Sequence, residues 1–93
     1  MSSIGAYNRP RMARGVRLFW DEVRQQHLLL FPEGLLVLNA TAFAVLELCD
    51  GRRTVSEMVT ILAAQHSSAK VEKDVYYLLS RIAERGLLEH SNE

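Results

Sequence analysis

Residues Leu35 to Thr54 read LLVLNATAFAVLELCDGRRT, an apolar strand joined to a capped helix and a tight turn. Leu35, Leu36, Val37 and Leu38 lie between Pro32-Glu33-Gly34 and Asn39. An apolar run this short has the length of a strand, not of a helix. The Asn39 side chain can accept from the orphan amides of the next turn, which predicts a helix from Ala40 to about Cys49, ended by Asp50-Gly51. Only Thr41 and Glu47 interrupt its apolar surface, so this helix is expected to lie buried at the centre of the domain.

Upstream, Val16, Leu18 and Trp20 alternate with Arg17 and Phe19, the period-two pattern of a half-buried strand over about 16–20. His27 to Phe31 supplies a second strand, about 27–31, and the run 35–38 a third. Together they predict an antiparallel meander whose third strand is an edge. Residues 1–11, with Ser2, Ser3, Gly5, Asn8 and Pro10, show no period and read as a flexible arm before a single domain over 12–90. Downstream, Thr54-Val55-Ser56-Glu57 is a capping box, and Val55, Met58, Val59 and Leu62 mark a helix over about 55–66. His66 to Ala69 reads as a loop with Ser67 or Ser68 as cap. A third helix, about 70–85, follows with Val71, Val75, Leu78, Leu79 and Ile82 on one stripe and Gly86 as its stop. Leu87 and Leu88 are expected to fold back onto the core. The fold class is α+β and winged-helix-like: a three-stranded antiparallel N-terminal sheet, then three helices, the last two resembling a helix-turn-helix pair.

Composition narrows the function. With 93 residues, 11 basic and 11 acidic, the formal net charge is +0, which offers no long-range attraction to nucleic acid or an anionic membrane. The charge is unevenly placed: Arg9, Arg11, Arg14, Arg17 and Arg24 precede Pro32 against only Asp21 and Glu22. A single cysteine, no basic-apolar leader and no bilayer span point to a cytoplasmic protein. Cys49, His27, His66 and His90 fall at spacings with no triad or ligand pattern, so neither catalysis nor a metal or other cofactor is expected. Cys49 reads as a buried small hydrophobe, and His27 and His66 as surface or capping residues. A winged-helix nucleic-acid-binding protein is the alternative reading, opposed by Glu72 and Asp74 on the first turns of the helix that would enter the groove. Arg52-Arg53 reads as a solvated turn. Of Tyr76 and Tyr77, one is expected to pack with Leu79 and the other to line a groove against the third strand; spacing leaves open which.

The succession Arg17-Leu18, Pro32-Glu33-Gly34, Leu38-Asn39, Leu46-Glu47-Leu48-Cys49-Asp50-Gly51, Arg53-Thr54-Val55 and Asp74-Val75 resembles the PqqD family, small peptide chaperones of pyrroloquinoline quinone (PQQ) biosynthesis, from about Pro10 to Glu89. The run Leu-Cys-Asp-Gly-x-Arg-Thr-Val carries most of its specificity. The resemblance implies a RiPP recognition element without catalysis, which binds the ribosomal precursor peptide PqqA and presents it to the radical S-adenosylmethionine enzyme PqqE. It implies that the peptide adds as a fourth strand beside Leu35, Leu36, Val37 and Leu38, over a groove closed by Lys73, Tyr76, Tyr77 and Ser80 of the last helix. The unbroken apolar run departs from relatives that often carry a polar residue in this strand. An unpaired apolar edge also permits a homodimer, including one formed by strand exchange at the short turn after Pro32.

Overall fold

The computed structural model describes residues 4–65 and 70–91. Along the chain it forms β1 (Arg9–Met12), β2 (Arg17–Asp21), β3 (Gln26–Phe31), β4 (Gly34–Leu38), α1 (Ala40–Glu47), α2 (Val55–Gln65), α3 (Val71–Glu84) and β5 (Leu88–Ser91). The expected meander is present as an antiparallel sheet in the order β2-β3-β4. Because directly paired residues share a face, its register places Leu18, Leu29 and Leu36 in one row and Trp20, His27 and Leu38 in the next. This face meets the helices, and the Phe43 ring of α1 stacks on His27 with centroids 4.0 Å apart. The opposite face carries Phe19, Leu28 and Val37 in a row. Phe19 and Val37 are exposed there, while Leu28 is buried between them and outside the main core.

The turns are held by local hydrogen bonds. Asp21 Oδ1 accepts from the Val23 and Arg24 amides, at 3.1 Å each, and closes the β2–β3 turn. The Arg24 amide is the largest cause that holds the Asp21 carboxyl below its ordinary pKa. Asn39 Oδ1 accepts from the Ala42 amide at 2.7 Å, which starts α1 where the sequence places it. The helix is shorter and less enclosed than expected. It ends at Glu47, and only Val45 and Leu46 are buried within it, because Ala42, Phe43 and Ala44 are half-covered.

All the orphan amides at the start of α2 find acceptors. Thr54 N donates to Glu57 Oε1 at 2.8 Å and Glu57 N to Thr54 Oγ1 at 3.1 Å, which completes the capping box. Val55 N donates to the Asn8 carbonyl and Ser56 N to the Ala6 carbonyl, each at 3.0 Å. The expected flexible arm is therefore corrected. Its carbonyls complete a helix terminus, Pro10 is fully buried, and β1 pairs antiparallel with β5 from Arg9↔Ser91 to Met12↔Leu88. This second sheet leaves little period-two signal, because its strands are four residues long and their partners lie at opposite ends of the chain.

The third helix buries Val75, Leu79 and Ile82, and Gly86 at φ 76 ends it in the left-handed region where a side chain would be strained. Leu87 and Leu88 are buried, as their expected return to the core requires. The Ser67 or Ser68 cap and His66 lie outside the described residues. The core joins Leu29 of the central strand to Val45, Leu46, Val55, Met58, Val75 and Leu79 of the helices.

Deleting residues 1–8 removes the Ala6 and Asn8 acceptors. It is expected to lower stability by about 1 to 3 kcal/mol, read as an earlier urea midpoint with the helical circular dichroism retained.

Candidate functional site

The third strand of the meander, β4, pairs with β3 on one side, and among the described residues nothing pairs with its other side. Alternation splits its apolar run: Leu36 and Leu38 face inward, whereas Leu35 is 51% exposed and Val37 59% exposed. The last helix runs antiparallel to this edge. At the Leu38 end a cleft of about 330 Å³ is walled by Asn39, Ala42 and Val45 on one side and Asp74, Tyr77 and Leu78 on the other. At the Gly34 end a second cleft, of about 520 Å³, joins Pro32 and Glu33 to Arg85 and Leu87. The half-covered side of α1 thus forms part of a groove floor, which explains why that helix is less buried than its composition suggests.

Two tyrosines that spacing leaves equivalent are separated by the fold. Tyr76 is half-buried against the core, and its hydroxyl pKa is raised, by burial first and by the Glu72 charge second. Tyr77 is 64% exposed and lines the cleft. Its hydroxyl accepts from Arg81 at 2.9 Å, and the guanidinium carbon lies 5.7 Å from its ring centroid, so Arg81 braces this wall. Lys73 and Ser80 are not brought to either cleft. At about 100° per residue they fall on the flank of Tyr77 away from α1, while Asp74 and Leu78 fall on the flank toward it. The signal that finds the latter is the i, i+3, i+4, i+7 series Asp74, Tyr77, Leu78, Arg81.

His27 is not a surface cap. It sits between Phe43 and Trp20, whose ring centroid is 4.6 Å away at a tilt of 51°, and its Nδ1 is buried without a hydrogen-bond partner. Among the described residues no cluster of His, Cys, Asp and Glu could hold a metal ion. Cys49 is buried, with its thiol donating to the Val45 carbonyl at 3.6 Å. Burial, then the neighbouring Asp50 charge, pushes its pKa up to about 12, so the nucleophilic thiolate is suppressed. No helix among the described residues is long and apolar enough to cross a membrane.

An open sheet edge flanked by one helix, on a domain of this size, defines a small α+β recognition module. The chain belongs to the PqqD family: the profile described as Coenzyme PQQ synthesis protein D (PqqD) matches residues 26–88. It is 45% identical over 82 residues to the bifunctional coenzyme PQQ synthesis protein C/D of Methylorubrum extorquens, covering 86% of this chain but only 22% of that relative. It is 34% identical to the PqqA binding protein of Rhodopseudomonas palustris, over 98% of this chain and 91% of the relative. The solution structure of the PqqD truncation of Methylobacterium extorquens PqqCD, described as a functional stand-alone RiPP recognition element, superposes with a TM-score of 0.80. Identity to it is 42%, over 94% of this chain and 95% of the other.

In the folded protein Cys49 is expected to resist alkylation by iodoacetamide at pH 8 and to react readily in urea; equal rates in both states would show an accessible thiol.

Proposed function

We propose that this protein is a carrier without catalysis that binds the precursor peptide PqqA as an added strand on β4 and presents it to PqqE in the cytoplasm. The observation that carries this reading is the unpaired β4 edge beside the Tyr77 cleft. The names of the relatives support the peptide, and the shared fold supports the mode. In strand addition the main chain supplies affinity and alternate side chains supply specificity.

Magnitudes decide what else the groove must provide. Four or five added hydrogen bonds contribute about 5 kcal/mol in total, and ordering a flexible peptide takes back about 2 to 5. Micromolar binding needs about 8 kcal/mol. Two or three apolar side chains of the peptide must therefore enter the groove at about 1.5 to 3 kcal/mol each. Ala42 on the floor and Leu78 with the Tyr77 ring on the wall offer that surface, and exposed Leu35 and Val37 offer a second apolar row on the outer sheet face. A second copy of the chain is the natural competitor for the same edge, and a dimer so formed would block the peptide.

Amide shifts of isotopically labelled protein titrated with synthetic PqqA are expected to concentrate on Leu35 to Leu38, Ala42 and Tyr77; shifts confined elsewhere would refute the site. Adjacent N–H groups point to opposite sides of a strand, so one of Leu36→Pro and Val37→Pro removes an outward donor while sparing the β3–β4 ladder. That variant is expected to stay folded by circular dichroism and lose peptide binding; unchanged affinity would remove strand addition. Tyr77→Ala is expected to weaken binding about tenfold by isothermal titration without changing stability, as for an exposed aromatic anchor.

A further inference from the structure

The two ends of the groove differ in charge. At the Gly34 end Arg14 and Arg85 both line the cleft, and neither side chain has a hydrogen-bond or ion-pair partner among the described residues. Most other arginines are engaged: Arg11 with Glu89, Arg24 with Asp21, Arg53 with Asp50, Arg9 with the Arg52 carbonyl, and Arg81 with Tyr77. Arg17, whose guanidinium also has no partner among the described residues, stands at this end on the outer sheet face, two strands from Leu35 through Leu30. Glu33 lines the same cleft and offsets one of these charges, so the end is basic but not strongly so. At the Leu38 end the cleft instead carries Asp74, which makes no ion pair. Between the two ends lies β4, five residues or about 17 Å long. A peptide added along it leaves the strand at the Gly34 end, beside the turn whose Pro32 and Glu33 border the arginine cleft.

We propose that the Arg14–Arg85 cleft receives a carboxylate side chain of the bound peptide, with the neighbouring apolar residue seated on Val16, Phe31 and Leu87. This rests on the reading of β4 as the peptide site and adds a direction to it: the acidic part of the peptide lies at the Gly34 end, away from Asp74. A guanidinium held without an internal partner at a groove mouth is available for the two-pronged hydrogen bonding that carboxylates favour.

The test is the same titration with synthetic PqqA, at low and high salt, on wild type and on the double variant R14Q/R85Q. Both arginines are exposed, and circular dichroism confirms the fold. The variant is expected to bind about tenfold more weakly at low salt, to lose most of its salt dependence, and to keep its amide shifts at Leu36 to Leu38 and Tyr77. A peptide whose Asp and Glu side chains are replaced by amides should show the same loss on wild type and no further loss on the variant. Equal affinity of variant and wild type, or losses that add when both changes are combined, would overturn the arginine cleft while leaving the β4 site standing. A wild-type protein that does not bind the peptide at all would overturn both.

Discussion

An unsatisfied row of backbone groups along β4 governs the layout of this domain. Every strand edge needs a partner, a charge or a cover, and β4 has none of the usual protections: no lysine, no proline within it and no bulge. The other edge of the sheet, β2, is bounded by Arg17 and Asp21. Asn39 makes the difference permanent. By capping α1 immediately after Leu38 it takes the chain out of the sheet, so no further strand of the meander can follow on that side. The core then forms beneath the edge, and the last helix stands alongside it as one wall of a groove.

Much of this is legible in the sequence because the deciding contacts are local. Alternation from Val16 to Trp20, the Asn39 cap and the Thr54–Glu57 box each operate within a few residues, and each element appears near its expected place. The ribbon of β1 and β5 escapes for the opposite reason. Arg9 meets Ser91 across almost the whole chain, and the bonds that order Ala6 and Asn8 are made by carbonyls, which carry no side-chain signature. The site divides along the same line. The strand edge is readable from position alone, whereas which face of α3 lines the cleft depends on where α1 lies, so Lys73 and Ser80, expected to close the groove, do not line it. His27 likewise reads in sequence as a surface or capping residue, because its actual environment is built by Trp20 across the sheet and Phe43 from the next helix.

An added strand would also widen the outer face of the sheet. Phe19, Leu28, Leu35 and Val37 already form an apolar surface there, and alternate residues of a bound peptide would extend it by one row. The occupied protein would therefore present a surface that the free protein has only in part. That is a physical basis for a carrier whose loaded and empty forms differ to a third protein without any change in the fold.

The β1–β5 ribbon brings together segments from near the two ends of the sequence. Arg9 and Ser91 lie side by side at its open end, while Met12 and Leu88 close the end nearer the arginine cleft. Three residue steps separate the two, about 10 Å of ladder. A partner domain joined beyond Ser91 would therefore begin at the end of the ribbon away from Leu87 and the arginine cleft. The M. extorquens relative, of which the matched unit accounts for 22%, is a longer chain that contains such a unit. A tether to a neighbouring domain would raise the local concentration of a bound peptide beside it to roughly the millimolar range.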